Sequence, residues 1–91
     1  MDYNVEWTKQ CKKDAKKAKK RGLDLSELFA VVEMLAKGET LPESYKDHKL
    51  IGNYAGKREL HISPDWLLIY DKKDIIKLIT LVRTGTHSDL F

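Results

Sequence analysis

Ninety-one residues, 42% of them hydrophobic, provide for one modest core covered by one or two helices and leave no room for a second, so residues 1–91 are expected to form a single domain. The net charge of +3 conceals an asymmetry: residues 1–21 carry eight Lys/Arg against three Asp/Glu, whereas residues 22–91 carry nine against eleven. No apolar run approaches the roughly 20 residues of a membrane span, the start MDYNVEW lacks a secretory pattern, and a lone Cys11 cannot close an internal disulfide, so a cytoplasmic setting and a structural Cys11 are the default expectations.

Tyr3, Val5 and Trp7 alternate with Asn4 and Glu6, which predicts a short first strand. The period then lengthens. Cys11, Ala15 and Ala18 follow Trp7 at helical spacing, leaving a lysine face of Lys9, Lys12, Lys13, Lys16, Lys17, Lys19 and Lys20 that Gly22 brings to an end. Asp24 and Glu27 resemble a capping box opening a second helix, with Leu28, Phe29, Val32, Leu35 and Ala36 along one side and Gly38 at its close. The two helices are expected to form a hairpin. Leu41 to Gly56, punctuated by Pro42, Gly52 and Gly56, reads as an ordered loop pinned by Tyr45, Leu50 and Ile51. Arg58 to Ser63 alternates, with Leu60 and Ile62 on one face and Glu59, His61 and Ser63 on the other, and Ser63-Pro64-Asp65 supplies turn chemistry. Trp66 to Tyr70 is the next strand, Asp71 to Asp74 a charged turn, and Ile75 to Arg83 a long strand apolar enough for burial on both faces. Together these predict an α+β fold: a helical hairpin packed on a small, mostly antiparallel sheet, in the order β-α-α-β-β-β, with a short C-terminal tail or turn.

A sheet packed on helices needs one apolar face and leaves the other free for chemistry. If the three later strands meander, the end of the His61 strand, the Asp65 turn and the end of the Arg83 strand reach one edge, with His87 in the tail and His48 in the loop before the sheet. Such a set suits phosphodiester cleavage of RNA. The 2′-hydroxyl must lose a proton, the leaving 5′-oxygen must gain one, and an imidazole does either near neutral pH while an arginine steadies phosphoryl charge. Two other readings stay open on the residues alone. One is a non-catalytic basic module that grips nucleic acid through the lysine face; the other is a metal site of imidazoles and a carboxylate. Against a metal stand the absence of two histidines at short spacing and the positive charge of Arg83.

The segments YKDHKLIGNYAGKRELHISPDWLLIY (residues 45–70) and LVRTGTHSDLF (residues 81–91) resemble the YafQ-like branch of the RelE/ParE superfamily of toxins from type II toxin-antitoxin pairs, while the helical half matches only in length and charge pattern. The resemblance implies a RelE-like fold and a ribosome-dependent endonuclease that cuts translated mRNA in the A site of the 30S subunit without metal or other cofactor. It implies acid and base roles for His48, His61, Asp65 and His87, a phosphate-stabilising role for Arg83, and message-holding roles for Trp66 and Phe91. On such a toxin, Lys9, Lys12, Lys13, Lys16, Lys17 and Lys20 are expected to grip ribosomal RNA. The implied partners are the ribosome, mRNA and a cognate antitoxin protein, with no membrane.

Overall fold

In the computed structural model, which describes residues 2–91, the change of period after Trp7 is where strand gives way to helix. Strand β1 (Asn4–Trp7) leads into helix α1 (Lys9–Lys20), and Thr8 between them caps the helix by accepting a hydrogen bond from the Cys11 amide. Cys11, Ala15 and Ala18 are buried on the inner side, and the expected lysines are all exposed. Helix α2 (Leu25–Ala36) follows a turn in which Gly22 takes φ +87°, a conformation that glycine adopts without steric cost. Asp24 caps α2 through the Ser26 amide at 2.9 Å, instead of through the third-residue amide that a capping box uses. The buried face of α2 is Leu28, Val31 and Leu35; Phe29 lies outside the core, edge-on to Trp7 at 6.1 Å.

The stretch read as a loop contains two short 3-10 turns, Glu43–Tyr45 and Gly52–Tyr54, and between them a two-residue strand, β2 (His48–Lys49). Ile51 is exposed and pins nothing, whereas Tyr45, Leu50 and Tyr54 are half-buried. Strands β3 (Arg58–Ser63), β4 (Trp66–Lys73) and β5 (Leu78–Gly85) form the expected meander, but the last turn is displaced. The residues Asp71 to Lys73 extend β4, with Asp71 near Lys57 and Lys73, and Ile75 and Ile76 stand exposed at the hairpin tip. A charged run of both signs suits an exposed strand end as well as a turn. The chain ends with one helical turn, α3 (His87–Leu90), capped by Thr86.

The sheet runs β1-β5-β4-β3-β2, with β1 parallel to β5 and every other pair antiparallel, which bears out the α+β fold and the place given to the first strand. Both faces of the sheet are covered. Leu60, Trp66, Leu68, Tyr70, Ile79 and Leu81 pack under the two long helices, and Leu67 and Ile69 pack on the reverse against Leu50, Tyr54, Val82 and Leu90. A register shift leaves Val82 as an extra residue between the pairs Tyr70–Leu81 and Ile69–Arg83. Without it, strict alternation would put Arg83 on the same face as Leu81; the bulge re-aims it. Among the described residues, no helix is long and apolar enough to cross a membrane.

Candidate active site

The register assembles the site. His48 on β2 pairs with Glu59 on β3; His61, two residues along β3, pairs with Leu67 on β4, which pairs in turn with Gly85 on β5. Asp65 occupies the two-residue connection before Trp66, and His87 follows Gly85 by two residues. The three imidazoles therefore stand in a file, with ring centroids 6.4 Å apart from His48 to His61 and 5.8 Å apart from His61 to His87.

Each ring has a carboxylate beside it. Glu59, only 4% exposed, places one carboxylate oxygen 3.5 Å from His48 Nε2 and 3.6 Å from His61 Nε2, in range of an ion pair when either ring is protonated. The Nδ1 of His48 lies 2.6 Å from the Lys46 carbonyl, which accepts only, so Nδ1 carries a proton there and Nε2 is the atom that gains and loses one. At the other end Asp65 Oδ1 accepts the backbone N–H of His87 at 3.2 Å and lies 3.0 Å from its Nδ1. These bonds hold the Asp65 carboxyl below the usual carboxylate range. A carboxylate ionised at neutral pH then holds the Nδ1 proton of His87 and leaves its Nε2 free to act. His61 Nδ1 stands 3.4 Å from the Pro64 carbonyl.

Arg83 is not a free cation. Its Nε and Nη2 donate to Oδ2 and Oδ1 of Asp14 at 2.9 and 3.0 Å, and the same carboxylate accepts from Gln10 and from the Thr84 backbone. Burial pushes the Asp14 carboxyl up, but these bonds outweigh it and hold it below its ordinary value. The Arg83 guanidinium is raised by its bonds to Asp14, with Tyr54 adding a smaller effect, and its side chain keeps 27% exposure. Phe91 is 62% exposed, makes a T-shaped contact with Tyr54 at 5.5 Å and lies 6.4 Å from the His87 ring.

Trp66 is a correction to the sequence reading. It is 1% exposed on the helix-covered face, and its indole N–H donates to Thr84 Oγ1 at 2.9 Å, so it cannot stack on RNA without leaving the core. The run WLLIY gives no alternation from which to tell the faces apart, because both are buried. Sequence reasoning also left Glu59, Asp14 and Tyr54 without roles. The strand alternation put Glu59 and His61 on one face, which was the available signal for Glu59; nothing local marks Asp14, 69 residues from Arg83.

Three groups able to bind a metal also converge in the fold. Glu59, His61 and His87 each bring one ligand atom into a set whose members lie within 4.8 Å of one another, so the short spacing absent from the sequence is supplied through space. Two imidazole nitrogens and a carboxylate oxygen suit zinc or copper, and Asp14 offsets the charge of Arg83. An ion held there would take up nitrogen lone pairs that proton transfer needs. A cleft of about 730 Å³ between the end of α2 and the Arg58–Tyr70 side of the sheet is lined by none of the histidines. His61 lines a smaller, open cleft of about 390 Å³ with Tyr45, Lys46 and Pro64, and His48 and His87 on either side of it are exposed.

Comparison with known proteins gives a consistent picture. A family model described as the bacterial toxin of type II toxin-antitoxin systems, YafQ, matches residues 3–91. The chain is 43% identical to the mRNA interferase toxin YafQ of Escherichia coli K12 over 92 aligned positions, covering 100% of this chain and 98% of that one. It is similar to the toxin in the crystal structure of the E. coli DinJ-YafQ toxin-antitoxin complex, with TM-score 0.90 and 41% identity over 100% of this chain and 99% of that one. It is equally similar to a metal-bound toxin from Helicobacter pylori, with TM-score 0.90 and 43% identity over 98% and 99% of the two chains.

Proposed function

The chain belongs to the YafQ family of toxins from bacterial type II toxin-antitoxin systems, and on that premise we propose that it is an mRNA endoribonuclease that cleaves translated messages in the ribosomal A site and is silenced by a cognate antitoxin protein. The observation that carries the catalytic part is the file of His48, His61 and His87 beside Glu59 and Asp65. One imidazole takes the proton of the 2′-hydroxyl, whose oxygen attacks phosphorus and closes a 2′,3′-cyclic phosphate. A protonated imidazole gives its proton to the departing 5′-oxygen, so two rings exchange states and no metal is required.

His48 and His87 are the end members, each with Nδ1 committed to an acceptor and Nε2 available; His61 lies between them within reach of either partner. Asp65, ionised and bonded to His87, orients that ring. Arg83 brings fixed positive charge to the phosphoryl oxygens. Phe91 stacks on a base of the message, and Lys9, Lys12, Lys13, Lys16, Lys17 and Lys20 meet ribosomal RNA phosphates. An open site supports a polymer substrate held by a second macromolecule, since small ligands are usually enclosed. The reading places a single toxin domain, residues 1–91, among the ribosomes of the cytoplasm.

The test is primer extension on a message translated in vitro, with the wild-type chain and His87→Ala side by side. Cuts within the reading frame that vanish in His87→Ala and in ribosome-free RNA are expected. Equal cleavage by the variant sinks the catalytic reading and favours the basic binding module; equal cleavage of naked RNA sinks the dependence on the ribosome.

A further inference from the structure

Helix α3 is one turn of four residues, and a lone turn does not hold its shape, because nucleating it fixes several backbone dihedrals for a single hydrogen bond. Yet its first residue is His87 and the residue after it is Phe91. Leu90 packs the turn against Leu67 and Ile69, Asp65 accepts the His87 backbone N–H, and a third anchor is the carboxylate of Asp89. Oδ2 accepts from the Thr86 backbone at 3.0 Å and from Arg21 Nη1 at 2.6 Å; Oδ1 accepts from Arg21 Nη2 at 3.1 Å and lies 3.6 Å from Lys17 Nζ. Thr86 Oγ1 accepts in return from the Asp89 amide at 3.2 Å. The end of β5 is shaped for this approach, since a Cβ on residue 85 would stand 2.9 Å from Asp89 Oδ2 and 3.0 Å from its Cβ, and glycine leaves the carboxylate its place without a shift. The bonds from Arg21 and Thr86 hold the Asp89 carboxyl well below the usual carboxylate range.

We propose that Arg21 is a positioning residue for His87, acting through Asp89, and not one more cation of the RNA-facing lysine surface. The forked pair joins the residue that caps the end of α1 to the third residue of α3, 68 positions away in sequence. It fixes the turn whose first residue presents its ring to Asp65 and to His61. Local capping orders the backbone of the turn; the guanidinium fork ties that turn to the end of α1. The inference rests on the catalytic role proposed above for His87.

Two roles for Arg21 predict opposite signs at Asp89. Wild type, Arg21→Ala, Asp89→Asn and the double variant are compared for single-turnover cleavage on saturating programmed ribosomes, for ribosome affinity against salt, and for amide exchange in residues 86–91. Asparagine keeps the size of Asp89 and its bond from Thr86 N–H while removing the charge. Positioning predicts that each single variant slows cleavage by about tenfold or more at unchanged ribosome affinity, that the double is no worse than either single, and that exchange in α3 quickens. Arg21→Lys, with charge but no fork, falls between. If Arg21 instead grips RNA, Arg21→Ala weakens binding and flattens its salt dependence, Asp89→Asn binds no more weakly than wild type, and the effects add; that pattern overturns the proposal. So does unchanged exchange in α3 when His87→Ala is inactive. Full cleavage by His87→Ala marks the failure of the catalytic reading instead, and with it the role given to Arg21. Unfolding midpoints of all variants show whether the core has been kept.

Discussion

Asp14 shows how a residue with no local signal comes to matter. It stands in a lysine-rich helix, where one carboxylate reads as relief from charge repulsion, yet it is buried and accepts four hydrogen bonds, two of them from Arg83. Removing one member of a buried pair costs about 3–5 kcal/mol. Because Arg83 retains some exposure and can turn to solvent, Asp14→Ala is expected to lose about 2 kcal/mol by urea unfolding, less than a fully buried broken pair costs. Cleavage should fall further than stability, since the guanidinium then has no fixed direction. The histidines and Asp65 stand out in the sequence because their chemistry is particular to their residue type, whereas Phe91 is marked only by the family resemblance. Glu59 was legible only as to its face, and its closeness to two rings comes from the β2–β3 register. The same closeness predicts a response to metal: micromolar zinc or copper should suppress cleavage and a chelator restore it, while a chelator added to metal-free protein leaves the rate unchanged. Loss of activity with chelator alone would point to a metal-dependent reaction.

At the scale of elements, periodicity sufficed for β1, α1 and β3, each of which meets water on one side. On α2 it set Leu28 and Leu35 inward correctly but put exposed Phe29 with them and passed over buried Val31. It failed where both faces are covered, on β4, and at the β4–β5 tip, where apolar Ile75 and Ile76 are exposed while charged residues extend the strand. The bulge at Val82 was equally hidden, because an extra residue leaves no mark on an apolar run. Helix α1 is the element whose function separates most cleanly from its packing. Lys9, Lys12, Lys13, Lys16 and Lys20 are exposed and make no ion pair among the described residues, whereas Lys17 and Arg21 are turned toward Asp89. Replacing Lys12 and Lys16 by Gln should therefore leave the unfolding midpoint within experimental error. The slope of log affinity for the ribosome against log salt should fall by roughly 0.7–0.9 for each lysine that meets a phosphate. An unchanged slope would return this face to the status of a solvated surface.

Across the whole molecule, carboxylates tie distant parts of the chain together: Asp14 to Arg83, Asp89 to Arg21, Asp74 to Tyr3 and Asp65 to His87. Their partners hold all four carboxyls below the ordinary carboxylate value, against the opposing push of burial, which is the leading influence on Asp14. A carboxyl whose folded value is depressed binds its proton more readily in the unfolded chain. It therefore contributes stability that is fully present above the unfolded value of about 3.9 and is lost as pH falls through the lower folded value. The urea midpoint is expected to hold steady on this account from neutrality down to about pH 5 and to drop steeply below about pH 4. Asp14→Asn, less stable at neutral pH, should lose less on acidification, so that its curve approaches that of wild type in acid. Asp89→Asn, at a partly exposed clamp, should show the same convergence with a smaller gap, because water screens an exposed pair. Parallel curves for wild type and Asp14→Asn would mean that the acid limb comes from other groups, and that the Asp14–Arg83 pair orients the arginine without contributing to the pH dependence of folding.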